Sequence, residues 1–315
     1  MDWGDRIGRR LKPRDLHVFM AVVEHGNMAK AAEHLSISRP VVSKAIAGLE
    51  HTLGVPLFDR TPQGVEPTLY GRALSARGIA VFDELRQSVK EIEFLADPTV
   101  GELRIGCTET ITAGLVSTAI EQLSRRHPKL VFHMELADVA TLHFHFLRAR
   151  KCELIVSRAL QGAAEPDMNS EPLFHERFVI VVGPESKWLR RRKIALAELV
   201  NAPWILSSLE IVPGAPLREA FEAFTGLSFP RATIFSNSLS LRTKLLADGR
   251  FLTLVPGSVL QFGSKNLQFR ALPVELPHSP VPIVITILKN RTLSPMAQLF
   301  IDCIRDLVKP LAKRR

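Results

Sequence analysis

The sequence has few cysteines and no long apolar run. The three cysteines among 315 residues, Cys107, Cys152 and Cys303, are odd in number and widely spaced. This predicts buried free thiols rather than a disulfide framework or a paired-cysteine metal site, with a redox sensor as the alternative. The apolar runs have the length of strands and fall short of the roughly 20 residues of a membrane helix. With no secretory signal evident at the start, we expect a cytoplasmic protein that does not bind membranes.

Common catalytic motifs are also missing. The chain has no Gly-x-Ser-x-Gly elbow, no Gly-x-Gly-x-x-Gly after a predicted strand and no phosphate loop. His143 and His145 flank Phe144 without a third ligand in the pattern, so no metal is predicted. We therefore expect no catalytic residue and no cofactor. An α/β enzyme, or a cytoplasmic small-molecule-binding protein without a DNA role, is the alternative function.

The net charge of +9 fits a polyanionic partner, but its distribution does not favour the segment with the clearest motif. Residues 1–72 carry a net charge of +2, residues 73–96 carry −1 and the remainder carries +8. Basic composition alone is therefore a poor argument for DNA binding, and the prediction must rest on local geometry.

A helix-turn-helix is predicted before residue 54. Apolar residues at helical spacing end at Gly26, a common helix stop, and Asn27 can cap a second, short helix. Ser38 at the N-cap and Pro40 in the first turn mark the start of a third helix. Two helices joined by a tight turn are typical of this motif.

The third helix is predicted to have one apolar face and one small, weakly basic face. At about 100° per residue, Val42, Ile46, Leu49 and Leu53 share the apolar face. The opposite face can enter a major groove, where Arg39, Ser43 and Lys44 reach base edges or phosphates. An ordinary helical hairpin with solvated charges is the alternative.

A two-stranded wing and a long helix are predicted next. The wing has the apolar pair 57–58, then Arg60 and a turn at 62–64. Arg60 can reach the DNA backbone or minor groove, or can form a surface salt bridge with Asp59 or Glu66. Thr68 can cap a helix that runs to about residue 96 and carries too many apolar residues to stay soluble alone, which predicts self-association.

Residues 31–74, AAEHLSISRPVVSKAIAGLEHTLGVPLFDRTPQGVEPTLYGRAL, resemble the signature of LysR-type transcriptional regulators. The resemblance rests on the paired alanines, the two serines around a proline, Leu-Glu, Leu-Phe with Arg60, and the Thr and Gly near residue 70. It continues through residues 101–136. Carried over by motif, it implies DNA contacts at Ser38, Arg39, Pro40, Ser43, Lys44 and Arg60. Arg39 stands where many members have Gln. Arginine favours guanine edges, whereas glutamine favours adenine edges.

The rest of the chain is predicted to be α/β, with eight strand-like segments alternating with helices, as in crossover units on parallel sheets. The resemblance implies two lobes like a periplasmic binding protein. We predict a winged helix-turn-helix domain (1–67), a linker helix (68–99) and an effector domain (100–315). Lobe I would hold 100–165 and 270–315, lobe II 166–269, with crossings near 162–171 and 268–273.

Ligands in such sheets bind beyond the carboxyl ends of strands. The predicted effector-binding residues are the polar residues at these ends, namely Thr108, Thr110, Asp138, Ser207, Ser208, Asn237 and Ser238. Helix capping is the alternative role for each of them. Hydroxyl and amide groups suit a small carboxylate or a sugar-like compound.

We therefore expect a ligand-gated transcriptional regulator. Its predicted partners are double-stranded promoter DNA with an interrupted palindrome, a small-molecule effector and a second copy of the chain as homodimer or homotetramer. RNA polymerase is a further candidate partner. The sign of regulation stays open.

Overall fold

A computed structural model of the chain describes residues 10–62, 64–160, 165–207, 210, 215–263 and 268–312. The chain divides into two units, one up to Ser88 and one from Val89 onward. Each unit has its own apolar core.

The first unit begins with three helices, α1 (Pro13–His25), α2 (Met28–His34) and α3 (Arg39–Leu53). Gly26 ends α1 at φ 60° and Gly54 ends α3 at φ 75°, a left-handed conformation that glycine adopts without strain. The Asn27 side chain accepts hydrogen bonds from the backbone N–H groups of Ala29 and Lys30, which fixes the start of α2.

The core of this unit lies between the three helices. Phe19 and Val22 of α1 are fully buried against Ala31 of α2 and Val42 of α3. Alanine at 31 and 32 lets the helix backbones approach closely, since a larger side chain would hold them apart. The predicted helix-turn-helix is confirmed.

The wing consists of antiparallel strands β1 (Phe58–Thr61) and β2 (Gly64–Pro67). A carboxylate oxygen of Glu50 accepts hydrogen bonds from the N–H groups of Leu57 (2.7 Å) and Phe58 (3.4 Å), so α3 holds the start of β1. The Val65 N–H donates to the Gly26 carbonyl at 2.9 Å and attaches β2 to the end of α1. The wing is therefore fixed to the helices on both strands.

A 28-residue helix, α4 (Leu69–Ala96), follows the wing. The Thr68 hydroxyl accepts from the Gly71 N–H at 3.1 Å and donates to the Pro56 carbonyl at 2.8 Å, so the predicted cap is present. Apolar side chains at a spacing of three or four residues stay exposed along α4, and they are Val81, Leu85, Val89, Ile92 and Leu95.

The second unit contains two five-stranded sheets. The first consists of β3 (Val100–Cys107), β4 (Lys129–Leu136), β5 (Leu154–Arg158), β6 (Met168–Glu176) and β12 (Val281–Leu288), in the order β4-β3-β5-β12-β6. Strands β3, β4 and β5 are parallel, whereas β12 is antiparallel to both β5 and β6.

The second sheet lies in the other lobe. Its strands are β7 (Phe178–Val182), β8 (Trp204–Leu206), β9 (Ala232–Phe235), β10 (Leu252–Pro256) and β11 (Arg270–Ala271), in the order β11-β7-β10-β8-β9. Strands β8, β9 and β10 are parallel, while β7 is antiparallel to β10 and β11.

Helices cover both sheets. In the first lobe these are α5 (Glu109–Ile111, a π-helical turn Thr112–Val116, then Ser117–Arg126), α6 (Val139–Thr141 and Leu142–Leu147) and α10 (Pro295–Ala312). In the second they are α7 (Pro216–Arg218 and Glu219–Phe224), α8 (Leu239–Leu246) and α9 (Gly257–Phe262), with short 3₁₀ turns at Lys187–Arg190 and Leu196–Leu199.

The predicted fold class, a winged helix-turn-helix, a long linker helix and a two-lobed α/β domain, is confirmed, but three details differ. Both sheets are mixed rather than purely parallel, because one strand in each returns from the other lobe. Strand β6 extends the first sheet to Glu176, so the first crossing follows Glu176 rather than lying at 162–171. Strand β11 belongs to the second sheet, so residues 270–271 lie in lobe II rather than in lobe I, while the second crossing begins after Ala271, within the predicted range 268–273.

Candidate nucleic-acid interface and ligand cavity

The start of α3 presents an exposed polar face. The residues predicted to contact DNA on this helix are all exposed, namely Ser38, Arg39, Pro40, Ser43 and Lys44. Ala47 and Gly48 continue this face with almost no side-chain bulk, and no atom lies within 4 Å of a Cβ built on Gly48. Among the described residues, neither Arg39 nor Lys44 forms an ion pair, so both cations are available to an anionic partner.

Ser38 occupies the N-cap position of α3, as predicted, but its side chain makes no capping hydrogen bond. Its backbone carbonyl accepts from the Val41 and Val42 N–H groups at 3.0 and 3.3 Å. The turn before it contains Ser36 at φ 53°, a left-handed conformation uncommon for a residue with a side chain. The Ser38 hydroxyl is therefore exposed for an external partner.

Arg60 lies in β1 opposite Val65 and is exposed. The alternative of a salt bridge with Asp59 or Glu66 is absent from the part of the wing that the structure describes. The wing therefore presents a second cation in the same unit as α3.

A cavity of about 270 Å³ lies between the two sheets of the second unit, at the carboxyl ends of their strands. It brings together five of the predicted effector residues: Thr108, Thr110, Asp138, Ser207 and Asn237. Ser238 is not among its lining residues; its side chain caps α8 by accepting from the Leu241 N–H at 3.3 Å. Ser208 lies outside the described residues.

Asp138 lines the cavity and is already hydrogen-bonded. Its carboxylate accepts from the Thr141 N–H at 3.0 Å and from the Thr141 hydroxyl at 2.6 Å, and these bonds lower its pKa. Asp138 therefore caps α6, which is the alternative to effector binding named above for this residue.

Charged residues that the prediction missed also line the cavity, and they are Glu109, Arg158, Glu210 and Arg242. Arg158 ends β5, so the rule that selected polar residues after strands would have found it. Arg242 lies within α8 and Glu210 in a loop, where no sequence pattern indicated them.

Arg242 and Glu210 form a buried polar network in the second lobe. The Arg242 guanidinium donates to Glu210 at 3.4 Å, to the Thr253 hydroxyl at 3.1 Å and to the Leu254 carbonyl at 3.2 Å. It also donates to the Ser236 carbonyl at 2.8 Å. Burial raises the pKa of Glu210, while the charge of Arg242 acts in the opposite direction. Arg242 therefore binds protein groups of the cavity wall through all three of its guanidinium nitrogens.

Arg158 has a different environment. Burial lowers the pKa of its guanidinium, and the negative charge of Glu210 opposes this effect. Among the described residues no side chain or backbone group forms an ion pair or hydrogen bond with this guanidinium. It is therefore the cation in the described cavity wall that has spare hydrogen-bonding capacity.

His143 of α6 is buried, and its Nδ1 lies 2.7 Å from the Val139 carbonyl oxygen. Within the described ranges, no group of three or more His, Cys, Asp or Glu side chains is placed to hold a metal ion. No helix in the same part of the chain is both long and apolar enough to cross a membrane.

Two family models match the chain. The bacterial regulatory helix-turn-helix model of the lysR family matches residues 13–72, and the LysR substrate binding domain model matches residues 96–309. The chain belongs to the LysR family.

Individual relatives agree with this assignment. This LysR regulator is 30% identical over 302 residues to the HTH-type transcriptional regulator GbpR of Azospirillum brasilense, covering 94% of this chain and 86% of the relative. It is 28% identical over 298 residues to the SDS degradation transcriptional activation protein of a Pseudomonas species, covering 93% and 95%. Neither relative's name assigns an effector to this chain.

Solved structures show the same fold. A full-length OxyR cysteine variant from Pseudomonas aeruginosa superposes with a TM-score of 0.65 at 20% identity, covering 97% of this chain and 99% of that one. Full-length CbnR in complex with its target DNA gives 0.62 at 21% identity, covering 94% and 99%. This LysR regulator is a DNA-binding transcriptional regulator with a small-molecule effector domain.

Proposed function

We propose that this LysR regulator reads DNA bases with the start of α3 and contacts the DNA backbone with its wing. The observation that carries the proposal is the exposed face of α3, where Arg39 and Lys44 have no ionic partner among the described residues. Small residues at 47 and 48 let this face approach a groove, and guanidinium donors match the acceptor edge of guanine. Arg60 supplies a contact that positions the protein without reading sequence.

The proposed assembly pairs two chains through α4. The apolar face of α4 supports this because it stays exposed in a single chain. Two recognition helices would then read an interrupted palindrome, with a homodimer or homotetramer as the active form and RNA polymerase as a further partner. Since its target is chromosomal DNA, we place its action in the cytoplasm.

The proposed regulation is a population shift. A ligand that binds between the lobes favours the conformation in which both lobes contact it, and so changes which DNA half-sites are occupied. An unchanged footprint and an unchanged DNA bend at saturating ligand would contradict this mechanism.

The DNA proposal is tested by selecting binding sites from a fragmented-genome pool with the full-length protein and measuring fluorescence anisotropy on the selected duplex. We expect Lys44→Ala to weaken binding on every sequence and to reduce its salt dependence, which is typical of a phosphate contact. We expect Arg39→Gln to change the preferred base at one position, with a discrimination of about 1–3 kcal/mol.

The matched control is Arg125→Gln, which removes one exposed positive charge from the second unit and should leave the affinity and the preferred sequence unchanged. Equal, salt-sensitive binding of the wild type to every duplex would overturn the proposal, because it would leave only non-specific attraction to phosphate.

A further inference from the structure

We propose that the effector is a small monocarboxylate with a mainly apolar body, whose carboxylate is bound by Arg158. This inference rests on the proposed function, in which a ligand occupies the cavity between the lobes. It names the chemical class of that ligand and the residue that selects it.

Arg158 differs from every other charged group of the described cavity wall. Arg242 donates to four described groups. Glu109 accepts from the Leu239 N–H at 2.8 Å, and Glu210 accepts from Arg242 and from the Ser207 N–H. Arg158 alone has no such partner among the described residues, although it is partly buried in the same wall. Glu210, whose negative charge acts on Arg158, is already paired with Arg242, so an anionic ligand gains by supplying a further counterion to this partly buried guanidinium.

The carboxylates of the cavity wall limit the charge that the ligand can carry. The wall also contains the carboxylates of Glu109, Asp138 and Glu210, each with its own hydrogen-bond donors. They need no cation from the ligand, and their charges repel any anion; the spare hydrogen-bonding capacity of Arg158 offsets this repulsion for one negative charge. The cavity therefore accepts a single anionic group at Arg158 and disfavours a phosphate dianion.

Hydroxyl donors complete the anion site. Thr108 and Thr110 follow β3 in the same wall, and neither hydroxyl has a hydrogen-bond partner among the described residues. A guanidinium can bind a carboxylate through two parallel hydrogen bonds, and the threonine hydroxyls can supply further donors. The spare donors of the described wall thus match a carboxylate rather than an amine.

The rest of the ligand faces a largely apolar part of the wall. Large apolar residues form much of the wall, among them Ile111, Leu136, Phe178, Leu254, Pro256 and Ile283. A sugar carries hydroxyl groups on every side, so those that face these apolar side chains would have no partner there, which costs free energy for each such group. For scale, a dry protein cavity of about 150 Å³ holds one benzene molecule. The cavity of about 270 Å³ therefore accommodates a ring or a branched chain beside the carboxylate.

The test is isothermal titration of the full-length protein with benzoate, cyclohexanecarboxylate and 3-methylbutyrate, and with the corresponding primary amides. D-galactose and inorganic phosphate are the competing chemistries. We expect at least one carboxylate to bind and its amide, which keeps the shape but loses the charge, to bind at least tenfold more weakly. Galactose and phosphate should bind more weakly than that carboxylate.

Variants assign the effect to Arg158. Arg158→Gln should weaken carboxylate binding at least tenfold and remove the preference for carboxylate over amide, while Arg158→Lys should retain part of it. Because the guanidinium has no described protein partner, Arg158→Gln should leave the melting temperature of the ligand-free protein unchanged or raised. The matched control is Arg250→Gln, an exposed arginine paired with Asp248 in the second lobe, which should change neither affinity nor preference.

Three results would overturn the inference: equal binding of acid and amide, unchanged affinity in Arg158→Gln, or no binding by any carboxylate of the panel. Sequence-selective DNA binding is measured on the same preparation. If it persists while the carboxylates fail, the ligand class is wrong and the proposed DNA-reading function stands. If it is absent, the proposed function itself fails.

Discussion

At the residue scale, the three cysteines show how burial decides chemistry. All three are free and buried, and burial raises the pKa of Cys107 and of Cys152 to about 12. Because the thiolate is the reactive form, we expect the native protein to react very slowly with Ellman's reagent at pH 8, whereas the unfolded protein exposes all three thiols. Rapid labelling of one native thiol, or a DNA affinity that changes with peroxide, would instead support the redox-sensor alternative.

Glu153, directly before β5, is 2% exposed and accepts a 2.6 Å hydrogen bond from Lys90 of α4. Removing the lysine leaves a buried carboxylate without its cation. We expect Lys90→Met to lower the free energy of unfolding of the second unit by about 3–5 kcal/mol.

The double variant Lys90→Met/Glu153→Gln should recover much of this loss, because it also removes the uncompensated charge. Arg125→Met is the control, since its pair with Glu121 is exposed and should contribute under about 1 kcal/mol. Urea unfolding of the full chain measures all three variants. A loss in Lys90→Met no larger than the loss in the control would show that the pair is not structural.

At the element scale, local sequence predicted the helices of the first unit and all eight proposed strands, because their caps and apolar spacing are local properties. Strand β6 was missed. It is an edge strand that contains Pro172, and its pairing with β12 shifts register between Ile283 and Val284. Proline is tolerated at an edge but removes the usual strand pattern, so only the neighbouring strand reveals it.

The junction of wing and linker helix gives a test at this scale. A Cβ on Gly71 would lie 2.1 Å from the Leu57 carbonyl oxygen, whereas a Cβ on Gly48 meets no atom within 4 Å. Both glycines are in helices, so alanine gains about 0.5–1 kcal/mol of helix propensity at each. We expect Gly48→Ala to stabilise the first unit by this amount and Gly71→Ala to destabilise it by about 1–3 kcal/mol.

Hydrogen–deuterium exchange of α1 and α3 amides in the full chain measures this difference in the first unit alone. If protection of these amides from exchange rose equally in Gly48→Ala and Gly71→Ala, the prediction would be wrong, and β1 could move away from α4 without a cost in free energy.

At the scale of the whole molecule, the ligand cavity shows what a linear sequence leaves out. The polar residues after strands were predictable, because all parallel strands of a sheet end at one edge. Glu210 and Arg242 were not predictable, since a loop and a helix meet only after the second lobe folds. Arg158 ends a strand and fits the same rule, but it was not selected. Its importance depends on its lack of a hydrogen-bond partner among the described residues, which only the folded cavity shows.

Self-association belongs to the same scale. Ile92 and Leu95 of α4 are 67% and 74% exposed in the single chain, in line with Leu85 and Val89. We expect Ile92→Glu, which keeps a good helix former but places a charge in this stripe, to yield monomers in analytical ultracentrifugation. Affinity for a palindrome should then fall to that for a single half-site, because two linked recognition helices no longer bind together.

Glu91→Gln is the control for this experiment, because it changes the charge at the neighbouring exposed position of the same helix without touching the apolar stripe. It should keep the wild-type assembly and the wild-type affinity for the palindrome. An Ile92→Glu protein that sediments like the wild type would place the interface between chains elsewhere on the molecule. If the Ile92→Glu monomer still bound the palindrome with the wild-type affinity, self-association through α4 would not be required for DNA binding.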